Sequence, residues 1–194
     1  MPRRTGTERL EARRARLERH AVESDPAVVL NAAARFLELR SRSVDEVRRH
    51  LAAARFPQPL IEGAIARLLE LGVLDDRAFA RAWVESRDRA RPRGAVVLQR
   101  ELRLKGIDPE IVATILDDRA EAARDSDPEG GSANADELAA ERLIAKSRSA
   151  LMRVADPRIR RQRAYGLLAR NGFDPEVCRD VTARLDAAHD APDD

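Results

Sequence analysis

Three stretches of this chain can be written over one another. SVDEVRRHLAAARFPQPLIEGAIARLLE begins at Ser43, GAVVLQRELRLKGIDPEIVATILDD at Gly94 and IRRQRAYGLLARNGFDPEVCRDVTARLD at Ile159. With Phe56, Ile107 and Phe173 in register, Leu51 falls on Leu102 and Leu168, Leu60 on Ile111 and Val177, and Ala64 on Ile115 and Val181. Apolar positions therefore coincide on both sides of a turn, which restricts the chain to a repeated pair of amphipathic helices.

Turn chemistry agrees with that register. Gly106-Ile107-Asp108-Pro109-Glu110 and Gly172-Phe173-Asp174-Pro175-Glu176 each offer a glycine to end one helix, an aspartate to cap the next and a proline at its first position. The first copy has Arg55-Phe56-Pro57-Gln58-Pro59 instead, so its corner is built differently, while Ser43 and Glu46 have the spacing of a capping box. A further helix is expected before each pair: Pro26 to about Arg40, Asp76 to about Ala90 and Asp136 to about Val154. The step between copies is 51 residues and then 66, and the additional 15 match an acidic stretch from Glu121 to Ala135.

The expected architecture is all-α, with three tandem three-helix repeats forming an elongated, curved array. Its parts are a basic N-terminal arm at 1–24, helical in its pattern and expected to be disordered without a partner, repeats at 25–72, 73–119 and 136–187, an acidic linker at 120–135 and an acidic tail at 188–194. Units of this size bury their apolar faces by stacking on neighbours. Composition supports the class: 3% aromatic and 36% charged residues suit small helical units better than one large core, and no run of alternating β-branched residues suggests a sheet.

A net charge of +2 conceals strong segregation. Nine Lys/Arg face three acids between Arg77 and Lys105, and nine face Asp156 alone between Arg142 and Arg170, whereas Asp117 to Glu137 holds eight acids against Arg119 and Arg124. Clustered arginines displace counterions from phosphates, so the blocks point to a polyanionic partner. On charge alone the candidate contact residues are Arg77, Arg81, Arg87, Arg89, Arg91, Arg93, Arg100, Arg103, Lys105, Lys146, Arg148, Arg158, Arg160, Arg161 and Arg163.

Catalysis is not expected. Asp75 and Asp76 are adjacent on a helix and point about 100° apart, so they do not converge on one atom. Asp75 reads as an N-cap and Asp76 as a favourable charge in the first turn, with Leu74 and Phe79 spaced as a hydrophobic staple. Phe79 and Trp83 have the spacing of a packing face rather than of a base-stacking platform. His20, His50 and His189 lack ligand spacing, Cys178 sits among apolar residues, and no glycine-rich phosphate loop is present, so neither metal nor cofactor is expected. No apolar run reaches the roughly 20 residues a membrane span requires, and the chain is expected to be cytoplasmic.

Arg40-Ser41-Arg42-Ser43 with Glu46, Val47 and Leu51, then Gly72-Val73-Leu74-Asp75-Asp76 with Phe79-Ala80, then Glu101-Leu102 with Gly106-Ile107, resemble the RecX family of bacterial recombination regulators. The resemblance covers about 26–119 well and reaches 186 through Leu168 and Gly172-Phe173. It implies a non-enzymatic, monomeric protein of tandem three-helix repeats. Such a protein binds the RecA recombinase filament and its single-stranded DNA, with double-stranded DNA a further partner. It mostly inhibits filament growth, ATPase and strand exchange by occupying the filament groove. The alternative is a freestanding helical DNA-binding protein acting without a recombinase.

Overall fold

The computed structural model describes residues 6–125 and 134–187, and every regular element among them is a helix. In chain order these are α1 (Gly6–Ala21), α2 (Pro26–Leu37), α3 (Val44–Ala53), α4 (Gln58–Glu70), α5 (Asp76–Ala90), α6 (Ala95–Leu104), α7 (Pro109–Asp125), α8 (Ala135–Met152), α9 (Pro157–Arg170) and α10 (Pro175–Ala187). After α1 the order is three helix triplets. By contact the chain divides into two compact units, Met1–Phe79 with Lys105–Ile107, and Ala80–Leu104 with Asp108–Asp194. That division cuts through α5 and assigns the α6–α7 corner to the first unit.

Helix starts follow the expected chemistry. Asp25, Asp108, Asp156 and Asp174 each accept the amide two residues on at 2.8 Å, and each precedes a proline. Asp75 accepts the amide of Ala78 at 3.0 Å. Ser43 and Glu46 form the reciprocal capping box.

The aligned apolar positions line the cores. Leu51, Leu102 and Leu168 have no exposed surface, Phe56, Ile107 and Phe173 are 6%, 3% and 5% exposed, and Ala64, Ile115 and Val181 are equally buried. In the first unit α2, α3 and α4 pack on one another around Val29, Val47, Leu51 and Ile61; in the second, α8, α9 and α10 do so around Ala140, Leu168, Cys178 and Val181.

The three corners are equivalent in backbone as well. Arg55, Gly106 and Gly172, each just before an aligned apolar residue, have φ of 65°, 76° and 82°. The odd first corner thus keeps the left-handed conformation and places an arginine in it, at an energetic cost glycine avoids. Proximity supplies a second reason for glycine at the other two. A Cβ on Gly106 would lie 2.3 Å from Cβ of Asp45, and one on Gly172 would lie 2.4 Å from a methyl of Val97.

Those close approaches belong to a joint that occurs twice. In the first unit Ser43 Oγ donates to the carbonyl of Lys105 at 2.6 Å, and Asp76 accepts the amide of Val44 at 2.9 Å. In the second, Gly94 N donates to the carbonyl of Asn171 at 3.0 Å, and Asp136 accepts the amide of Ala95 at 2.9 Å. Ser43 and Gly94, Val44 and Ala95, and Lys105 and Asn171 are register equivalents. A carboxylate from a later helix therefore caps α3 and α6 alike, while a later corner rests on each helix start. Gly94 must be glycine because a Cβ there would fall 2.0 Å from the carbonyl oxygen of Gly172.

The N-terminal arm is helical from Gly6 to Ala21; it buries no residue, but His20 stacks on Phe56 with ring centroids 4.1 Å apart and its Nδ1 lies 3.1 Å from the carbonyl of Ala54. One boundary is corrected. The acidic linker begins later than expected, because α7 continues through Glu121 to Asp125. The rest of that linker at 126–133 and the acidic tail at 188–194 lie outside the described residues.

Candidate polyanion-binding surface

The arginine-dense blocks fall on α5, α6, α8, α9 and the turns between them, and the structure sorts their side chains into two groups. Arg77, Arg89, Arg91, Arg100, Arg103, Arg148, Arg158 and Arg163 are exposed and, among the described residues, form no side-chain hydrogen bond or ion pair. On α6 the inward positions are Leu98 and Leu102, so Arg100 and Arg103 project from the opposite side beside the exposed Val96 and Leu104. Arg161 is exposed too, and Arg81 is exposed with only a long 3.5 Å contact to Asp118.

The others are held internally. Arg87 lies over the Trp83 ring at 4.4 Å and binds Glu101 at 2.7 Å; Trp83 Nε1 donates to the same carboxylate at 2.8 Å, which ties α5 to α6. Phe79 is buried as expected, whereas Trp83 is half-buried as this shelf. Lys105 binds Glu46 at 2.7 Å, Arg93 donates to Asn171 Oδ1 with its Nε buried and unpartnered, and Lys146 donates to the carbonyls of Arg89 and Ala90.

Arg160 departs furthest from the charge reading. It is 6% exposed and donates to the carbonyl of Val154 at 3.1 Å, so it packs inside the second unit rather than offering charge to a partner. Burying the stem of a long cation while its head finds a carbonyl is ordinary for arginine, and charge counting along a sequence cannot distinguish that case from an outward one.

Arg119 was absent from the charge reading because it sits in the acidic connector. It binds Asp88 at 2.8 Å and Asp136 at 2.6 Å with 9% of its side chain exposed, joining α5, α7 and α8. Burial alone would lower its pKa, but the two carboxylates outweigh that and raise it. A signal existed: in register Arg119 stands where the other copies have Leu68 and Leu185, both buried. An arginine at a core position requires buried acids.

Asp76 has no such cation beside it. Burial raises its pKa, as do Asp75 and Asp45, against the lowering effect of the Val44 amide and Arg48. It is a structural acceptor, which accounts for the acidic pair without catalytic chemistry. Among the described residues no cluster of His, Cys, Asp and Glu could hold a metal, and no helix is long and apolar enough to cross a membrane.

Residues 30–68 match the pattern described as RecX, first three-helix domain, and 75–116 match RecX, second three-helix domain. The regulatory protein RecX of Mycolicibacterium smegmatis is 32% identical over 153 residues, covering 79% of this chain and 77% of that one. The chain belongs to the RecX family. The regulatory protein RecX of Prosthecochloris aestuarii is likewise 32% identical, over 84% of this chain and 97% of its own length. The crystal structure of RecX from Lactobacillus salivarius aligns with a TM-score of 0.66 at 20% identity, over 84% of this chain and 97% of that chain, a likeness of fold. The two RecX patterns coincide with the α2–α4 and α5–α7 triplets, so the RecX framework accounts for the buried motif residues, and the exposed arginines are a separate layer laid upon it.

Proposed function

We propose that this RecX-family protein regulates the RecA recombinase by binding its filament on single-stranded DNA and restraining filament growth, ATPase and strand exchange. It acts in the cytoplasm as a monomer and catalyses nothing itself, with 25–72, 73–119 and 136–187 as its repeating functional segments. Family membership supports the partner. The eight exposed arginines without an internal acid support the chemistry, since a guanidinium already neutralised by a neighbour gains little from a phosphate.

The mechanism is competitive occupancy. Arg89, Arg91, Arg100 and Arg103, with Arg148, Arg158 and Arg163, engage DNA phosphate or acidic recombinase surface where further subunits would add. Recombinase ATPase on single-stranded DNA, titrated with this protein, is the test. Inhibition far below equimolar ratio indicates occupancy of filament ends, and a stoichiometric requirement indicates coating of the groove. Undiminished ATPase at saturation, together with salt-sensitive binding of bare DNA, would replace this reading with a freestanding DNA-binding protein.

A further inference from the structure

The first unit contains a cleft that the arginine surface does not explain. It lies between α1, α2 and α3, has a volume of about 580 Å³, and is lined by Arg16, His20, Arg35, Phe36, His50 and Phe56 with no acidic residue among its lining. Its rings are already stacked in two pairs: His20 on Phe56 at 4.1 Å with planes 15° apart, and His50 on Phe36 at 3.8 Å with planes 1° apart. The Arg42 guanidinium lies 4.1 Å from the Phe36 centroid, extending the second stack. Arg16 and Arg35 are exposed and, among the described residues, form no hydrogen bond or ion pair.

Phe56 and Phe36 belong to the apolar core of this unit, but His20 and His50 do not, and their placement at the cleft leaves polar, flat rings on the solvent side of both phenylalanines. Flat π-faces beside unpaired guanidiniums are what an unstacked nucleobase and its phosphate require. An acidic peptide would use the arginines and leave the parallel rings without a role.

From this geometry we propose a single-stranded nucleic acid site in which a base stacks in the cleft against His50 and His20 while Arg16 and Arg35 hold the adjoining phosphate. It deepens the proposed function by adding a base-reading contact to phosphate contacts elsewhere, and it rests on that reading only for the identity of the strand. Stacking of one base against an aromatic face gives a preference over a strand without bases of about tenfold.

Fluorescence anisotropy on the full chain, without recombinase, compares a short oligodeoxythymidylate with an abasic oligomer of equal length. The wild-type protein should bind the thymine-bearing strand about tenfold more tightly. His50→Ala should bring the two affinities together by weakening only the thymine-bearing strand, and Arg35→Ala should weaken both alike. Equal affinities in the wild type, or a preference that survives His50→Ala with helical circular dichroism intact, would overturn the site. Competition by polyglutamate as effective as by the oligonucleotide would assign the cleft to acidic peptides. Loss of the base preference in His50→Ala with recombinase inhibition retained separates this cleft from the wider proposal; failure of inhibition in the wild type leaves the cleft standing and removes the recombinase.

Discussion

Arg55 occupies a conformation that its counterparts assign to glycine, with φ of 65° against 76° at Gly106 and 82° at Gly172. Arg55→Gly should therefore raise stability by up to about 1 kcal/mol in urea denaturation, relief of the left-handed strain exceeding the entropy of a more flexible unfolded chain. The converse changes should differ among themselves. Gly72 has φ of 65° with open space around it, so alanine there meets only the backbone penalty of about 1 kcal/mol, whereas alanine at Gly106 also collides with Asp45 and should cost about 2–3 kcal/mol. Equal losses at Gly72 and Gly106 would remove proximity from the explanation. The left-handed glycines were readable in the sequence because Gly-x-Asp-Pro announces a helix stop and start. The contact that makes Gly94 obligatory was not readable, since it depends on a corner 78 residues later.

At the scale of helices, the two joints use one geometry with opposite electrostatics. Asp136 is matched by Arg119, while Asp76 caps α3 without a cation of that kind, and the carboxylates respond to pH accordingly. Burial holds the Asp76 pKa up, so ionising it opposes folding: the stability linked to Asp76 is present below its unfolded value and lost as pH rises through its folded one. Asp76→Asn keeps the acceptor for the Val44 amide and should be more stable than the parent at neutral pH, with the gain vanishing in acid. Glu46 behaves in the opposite sense. Burial pushes its pKa up, but hydrogen bonds from Lys105, Arg40 and Ser43 together hold it below the usual carboxylate range, so its contribution is present above its unfolded value and lost as pH falls through its folded one. Thermal melts of Glu46→Gln against pH should accordingly show a shallower acid loss than the parent. In the second unit, Arg119→Leu leaves Asp88 and Asp136 facing each other without a cation and should cost about 3–5 kcal/mol, while adding Asp88→Leu and Asp136→Asn should recover most of it. A triple variant no better than the single one would mean that Arg119 packs in a way leucine cannot replace.

Over the whole chain, the fold was more legible than the surface. Apolar register is a property of sequence, and Leu51, Leu102 and Leu168 carried it directly into the cores. Which arginines remain available is a property of three-dimensional pairing: Arg87, Arg93, Lys105 and Arg160 belong to charged runs in the sequence and to internal contacts in the structure. Each cation that contacts single-stranded phosphate adds about 0.7 to the slope of log affinity against log salt. Replacing Arg89, Arg91, Arg100 and Arg103 by glutamine should reduce that slope by up to about 3 and weaken recombinase inhibition, with helical circular dichroism unchanged. The same fourfold change with an unaltered slope would take this surface out of DNA contact. At the positions of Ser43 and Gly94 the α8–α10 triplet has Arg160, and its α9 is capped by its own Asp156 rather than by a carboxylate from a later helix. A helix start that carries its own cap places no demand on a distant segment, so α9 can form before anything else has docked, whereas the starts of α3 and α6 are completed only when a later corner arrives.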